Sequence, residues 1–288
     1  MTQVATGADA GGGARLAPVP DRPVLELRPP GRSARPLLLL ADVHLGLGST
    51  EGSGGIPPEG LARAMALDLV ELLDERRARG FVLVGDAKHP IVGTPPRLRR
   101  VVFDFFATLL GAGASVELVL GNHDVGIERH LPREVTVHGA EGVVRHGVGL
   151  FHGHRWPSDP VLGASRLVTG HLHPGFRFAP TAETPSAKER CWVRVAYAPA
   201  APDGPGRRRR SPARARELIV LPAFNPIAGT EALNRNKPAR GRSFLFGRFL
   251  AGHAARAYLL DGTDLGPILT GPSPGPRRAG PVRAPRGR

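Results

Sequence analysis

Unbroken apolar runs alternate with amphipathic stretches over the first half of the chain. Leu37 to Ala41 and Phe81 to Val84 are apolar throughout, and Val116 to Leu120 is nearly so. Runs apolar on both faces predict strands buried on both sides, as in the central sheet of a layered α/β fold. Between the first two runs, Leu61, Met65, Leu69 and Leu72 fall on one face of a helix predicted to stop at Gly80. Val102, Phe105, Phe106 and Leu109 define a second helix of the same kind. Further strands are predicted over VGLF and SRLVT, and beyond Pro174 over ERCWVRVAY and RELIVLPAF, with the later strands in a second sheet. AYLLDGTDLGPIL reads as a closing hairpin.

Composition refines this picture at its margins. Residues 1–22 are rich in Gly, Ala and Pro and predict a flexible arm, followed by one domain over residues 23–270. A Pro-, Ala- and Arg-rich stretch at about 198–214 predicts a surface insert, and residues 271–288 a disordered basic tail. The formal charge of +14 gathers partly in the Arg207–Arg210 run and in that acid-free tail. A solvated segment is the plain reading of such charge, and attraction to polyanions the other. The single cysteine, Cys191, excludes an intramolecular disulfide and a thiolate metal cluster, reads as a core residue, and fits a reducing compartment. The first residues lack a basic start followed by an apolar run, and no stretch has the length of a membrane span. The expectation is a soluble, cytoplasmic protein without a membrane partner.

The strand ends carry the chemistry. Ala41 leads into Asp42 and His44, Gly85 into Asp86, and Gly121 into Asn122, His123 and Asp124. Phe151 leads into His152 and His154, and Gly170 into His171 and His173. In open α/β sheets, ligands bind beyond the carboxyl ends of strands, where loops from several strands converge. Asp, Asn and His offer oxygen and imidazole donors without thiolate, a mixture suited to Mn²⁺, Fe or Zn²⁺ rather than Ca²⁺. Asp42, His44, Asp86, Asn122, His152, His171 and His173 make seven candidate ligands, too many for one ion and about right for two sharing a carboxylate.

The motifs DVH, GD, GNHD, HGH and GHLH, in that order between Leu37 and Pro174, resemble those of the calcineurin-like metallophosphoesterases. GDAKHP, GHLHP and LPAFNPIAGTEAL are similar to the ICC-like phosphoesterases of bacteria and archaea, a group that includes enzymes encoded beside DNA ligases. The resemblance implies a four-layer α/β/β/α sandwich with a dinuclear metal centre. It implies that Asp42, His44 and His173 hold one metal, that Asn122, His152 and His171 hold the other, and that Asp86 bridges them. His123 is then the general acid or charge stabiliser beside the scissile phosphate, oriented by Asp124. The implied reaction is hydrolysis of a phosphate ester, preferably a diester, by a hydroxide held between two divalent ions, with Mn²⁺ the first choice. A phosphomonoesterase and a non-catalytic nucleic-acid-binding protein on the same fold are the alternatives.

Other residues are weighed more simply. His154 and His89 are candidate substrate contacts, with ordinary polar loop positions as the competing reading. Lys88 either touches substrate or lies in a solvated loop. Arg155 and Trp156 read as a surface cation and a packing indole. Asn225, in LPAFNP, lies near the site by resemblance, but no chemistry requires it there.

Overall fold

The computed structural model describes residues 13–31, 33–48, 57–180, 185–197, 216–234 and 254–268. Two sheets stack face to face. The first has six strands in chain order: β1 (Arg15–Pro18), β2 (Leu25–Arg28), β3 (Leu37–Leu40), β4 (Gly80–Val84), β5 (Ser115–Val119) and β6 (Thr136–His138). From β3 to β6 the strands are parallel, so the connections cross over one face, carried by helices α1 (Pro58–Glu75) and α2 (Pro96–Gly111). Alternation along β3 and β4 serves both faces. Leu38, Leu40, Phe81 and Leu83 pack under Met65, Leu69, Phe105 and Phe106 of the helices. Leu37, Leu39, Val82 and Val84 meet the second sheet.

In the second sheet, β8 (Val148–Phe151), β9 (Arg166–Thr169) and β12 (Arg216–Val220) form a parallel centre. The short β7 (Val143–Arg145) flanks β8, and the long β11 (Lys188–Tyr197) flanks β12. β11 also pairs with β10 (Pro174–Arg177), which is bordered by β13 (Glu231–Ala232). The predicted closing hairpin is present as β14 (Ala254–Leu259) and β15 (Asp264–Ile268), with β14 added to β11. Val148, Leu150, Val168, Trp192 and Ile219 face the first sheet. The opposite face is covered in part by α3 (Asp159–Gly163) through Val161. Among the described residues, that five-residue helix is what represents the second helical layer of the α/β/β/α sandwich.

Two expectations change. Residues 15–18, placed in the flexible arm by their composition, form β1, because Ala14 and Leu16 are buried in the layer between the sheets. α1 ends at Glu75 rather than Gly80, with Arg77 left-handed at φ 48°. Gly80 instead opens β4, where a Cβ would overlap the backbone of Ser115. Cys191 is buried in the core, which pushes its thiol up to about 12. The insert at 198–214 and the tail at 271–288 lie outside the described residues. No helix among the described residues is long and apolar enough to cross a membrane.

Candidate metal centre

The carboxyl ends of β3, β4 and β5 in one sheet and of β8 and β9 in the other open toward a common place. The chain is pinned there by backbone bonds between neighbouring loops. Asp42 donates its N–H to Gly85 O at 3.0 Å, His44 to Asp86 O at 2.9 Å, and Gly170 to His152 O at 3.0 Å. The segment after β12 ties the sheets together, with Phe224 N–H on Ala41 O at 2.9 Å. Among the described residues, eight non-glycine positions have positive φ, and five of them are expected ligands: Asp42 (59°), His44 (44°), Asp86 (54°), His171 (71°) and His173 (43°). Each such position costs roughly 1–2 kcal/mol, so the strain is concentrated where the side chains must converge. It also explains GHLH. Residues two apart on a straight strand share one face, and left-handed backbone at both histidines bends the turn so that His171 joins one donor set and His173 the other. At Gly121 a Cβ would overlap the Asp86 carboxyl group, so only glycine lets the GNHD turn approach so closely.

Of the three donor sets found among the described residues, one is His44, His89 and His123, and the other two contain the buried acids. Asp42, His44 and His173 form one, and Asp86, His152 and His171 the other, the ligand atoms of each set lying within 4.8 Å of one another. His44 Nε2 and His173 Nε2 are 3.1 Å apart, and His173 Nε2 is 3.4 Å from Asp42 Oδ1. In the second set His152 Nε2 is 3.2 Å from Asp86 Oδ2 and 3.3 Å from Asn122 Oδ1. Asp86 Oδ2 also lies 3.8 Å from His44 Nε2, so this oxygen stands between the two groups. His152 Nδ1 and His173 Nδ1 face the carbonyls of Val84 and Gly229 at 2.9 and 3.0 Å, which fixes Nε2 as the inward nitrogen of both rings.

The electrostatics fit a cation. Asp42 and Asp86 are buried, at 0% and 2% exposure, and among the described residues neither forms an ion pair with Lys or Arg. Burial opposes ionisation of both, yet His173 holds Asp42 below the ordinary carboxylate range and His152 does the same for Asp86. Burial likewise opposes charge on His152, but the Asp86 carboxylate outweighs it and lifts the imidazole to about 9. Burial lowers His44 and His171 to about 4, leaving neutral rings with a lone pair to give. Two buried acids and four inward imidazoles, with no thiolate, form a donor set that suits divalent transition-metal ions.

The chain is similar to several solved structures. A nuclease, MPE, from Pseudomonas putida is 21% identical over 87% of this chain and 100% of its own, at a TM-score of 0.49. Yfce, a phosphoesterase from E. coli, is 14% identical over 82% and 99%, at a TM-score of 0.34. Vps29 from Entamoeba histolytica, solved with zinc, is 14% identical over 79% and 94%, at 0.29. No protein-family model matches the chain, and no curated protein matches it by sequence.

Around these two donor sets lie the remaining candidates. His123 sits with Nε2 3.8 Å from Asp86 Oδ2, and its Nδ1–H donates to the His89 carbonyl. Asp124, expected to orient the His123 ring, has other partners. Its Oδ1 accepts from Ala87 and Lys88 N–H at 2.9 and 3.2 Å, and Oδ2 from Gly121 N–H at 2.8 Å. It therefore joins the loop after Asp86 to the GNHD turn, while burial and the nearby Asp86 charge raise it to about 6. His89 lies beside His44 and His123, and His154 beside His152 and His171, each with a buried Nδ1 that has no hydrogen-bond partner. Lys88 is fully buried rather than solvated, and Trp156 is 46% exposed.

Asn225 was undervalued by its sequence setting. It is fully buried, its Nδ2 donates to the carbonyls of Val43 at 2.9 Å and His44 at 3.4 Å, and its Oδ1 accepts from Ile227 N–H at 3.0 Å. It pins the strained DVH turn from the second sheet. The signal was available in principle, since an Asn flanked by apolar and Pro residues after a buried strand needs partners.

Proposed function

We propose that this protein is a dinuclear-metal phosphodiesterase acting on nucleotide or nucleic-acid diesters, with Mn²⁺ as the working metal. The observation that carries the reading is the meeting of two Asp/His donor sets at Asp86 Oδ2, with His123 Nε2 at the same oxygen. Asp42, His44 and His173 would hold one ion, Asn122, His152 and His171 the other, and Asp86 would serve both. When bound, such ions polarise phosphate oxygens and acidify water enough to attack near neutral pH.

The chain's own groups do the rest. Asn122 contributes a neutral oxygen, which adds no charge to repel an anionic ester. His123, held through Nδ1 by the His89 carbonyl, presents Nε2 toward the reacting phosphate. As the P–O bond to the leaving group breaks, His123 gives that oxygen a proton. His89 and His154 flank the two sides and supply ring N–H groups to the non-bridging oxygens.

The mouth of the site favours an ester with organic groups on both sides. Of seven large exposed apolar residues among those described, five (Ile91, Val92, Val125, Trp156 and Ile227) lie within three positions of His89, Asp124, His154 or Asn225. Apolar and indole surfaces beside a phosphate site suit nucleobases, which stack on them without regard to sequence. Arg155 and the net charge of +14 add attraction to a polyanion.

The test uses metal-stripped protein and two chromogenic substrates, bis(4-nitrophenyl) phosphate and 4-nitrophenyl phosphate. Added Mn²⁺ is expected to restore hydrolysis of the diester well above the monoester. Preference for the monoester would replace the proposal with a phosphomonoesterase. Failure on both with metal bound, together with salt-dependent DNA binding, would favour a non-catalytic binder.

A further inference from the structure

Lys88 is a buried lysine that pairs directly with no carboxylate, although Asp124 and Asp86 are near enough to favour its charge. Its side chain is fully buried, and among the described residues it forms no ion pair. The Nζ instead donates to the carbonyl of Pro90 and, at 3.4 Å, to that of Gly93. Burying an ammonium is unfavourable unless its donors are satisfied, so the carbonyls that Lys88 meets are what make this placement tolerable.

What it holds is the turn from His89 to Gly93. That turn has little else to keep it in shape. Ile91 and Val92 are 51% and 90% exposed, so they bury little apolar surface. Gly93 is left-handed at φ 70° with open space around it. The turn begins where His89 N–H meets Leu45 O at 2.9 Å, and the His89 carbonyl receives Nδ1–H of His123. Position therefore passes from Lys88 to the 89–93 turn, from the turn to the His89 carbonyl, and from that carbonyl to the His123 ring.

We infer that Lys88 is a positioning residue that aims the proton-donating nitrogen of His123 at the leaving-group oxygen, through the carbonyl-lined turn it clasps. The inference rests on the phosphodiesterase reading above and adds to it a specificity for poor leaving groups. A 4-nitrophenolate departs with little help from a proton, whereas the alkoxide of a dinucleotide needs one. A misaimed His123 therefore harms the second reaction and spares the first.

The experiment compares Lys88→Met with wild type on bis(4-nitrophenyl) phosphate and on a dinucleotide, in Mn²⁺, with metal content measured. The dinucleotide kcat is expected to fall on the order of 10- to 100-fold, the range for groups that orient a site's first ligands. KM, metal content and the chromogenic rate should stay within about 3-fold of wild type, as uniform binding is untouched. In a His123→Ala background the Lys88 change should add nothing, because two steps of one route do not sum. Gly93→Ala, which strains the turn from its open side, should show the same pattern more weakly and covers the case in which Lys88→Met does not fold. Equal losses on both substrates, loss of metal, or additive losses with His123→Ala would overturn the role of Lys88 alone. Wild-type silence on both substrates would overturn the phosphodiesterase reading, and this inference with it.

Discussion

Asp86, at the end of β4, and Glu117, inside β5, are both buried acids that meet histidine. Glu117 reaches across from the first sheet to β7 of the second. It accepts His138 Nε2 at 2.7 Å, Arg145 Nε at 2.9 Å and Arg145 Nη2 at 2.5 Å, on ordinary extended backbone. Burial opposes its charge, but the His138 and Arg145 bonds outweigh it and bring the carboxyl down to about 2. Asp86 stands on left-handed backbone with three imidazole Nε2 atoms at 3.2 to 3.8 Å and, among the described residues, no guanidinium. Nearby ring nitrogens of His44, His89 and His154 are buried without partners. One cluster is saturated and unstrained, and joins two sheets. The other is strained and underfilled, and it is aimed at a point. Acid plus histidine is common to both, so the residue types alone do not distinguish a tie from a site. Saturation and backbone strain do.

The contrast breaks most sharply at Asp86. Asp86→Ala is expected to reduce diester hydrolysis to background and to release metal, read by metal analysis of the purified variant, because both donor sets share that oxygen. An Asp86→Ala protein that keeps two ions per chain would remove the bridge from the reading. His123→Ala comes next. It should keep its metal while turnover on an alkoxide-leaving diester drops about 10²- to 10⁴-fold, the usual scale for a general acid. Loss of metal there would make His123 a ligand and undo the division of GNHD into ligand and acid.

Glu117→Gln gives the smallest effect and sharpens the other side. It should leave hydrolysis at pH 7 unchanged and cost roughly 1–2 kcal/mol of stability, as expected for charge-assisted bonds open in part to solvent. The sign of its pH dependence follows from the depressed carboxyl. Glu117 contributes fully above the ordinary glutamate value of 4.5, and its contribution fades as pH falls toward about 2. Denaturant unfolding of wild type and Glu117→Gln at pH 7 and pH 3 should therefore show a gap that narrows at the lower pH. A constant gap would place the stabilisation in packing rather than charge.

Much of the centre was legible in sequence because β3, β4, β5, β8 and β9 are apolar runs cut off by polar clusters, four of them with glycine at the break. Periodicity placed Met65, Leu69, Phe105 and Phe106 correctly under the first sheet for the same reason. β1 and β2 were hidden, since four-residue strands with proline and arginine carry too little pattern to stand out. β6, β7, β10 and β13 are shorter or equally short, and their pairing is set by distant neighbours. The partners of Asp124, Asn225 and Lys88 were illegible for another reason. Each binds backbone groups, Asp124 and Asn225 on a distant loop and Lys88 on its own turn, and backbone groups leave no mark in a sequence.

The centre draws on both sheets, and this bears on when in folding it can exist. Asp42, Asp86 and Asn122 come from loops of the first sheet and His152, His171 and His173 from the second; the touching pair His44 and His173 is separated by 129 positions. Contacts so distant along the chain form late, because the loop between them must close first. During synthesis the first sheet can be complete while its acids still face solvent without their imidazoles. A half-made chain therefore has neither the ligands to hold a pair of ions nor the means to cut an ester, and competence arrives in one step when the second sheet docks.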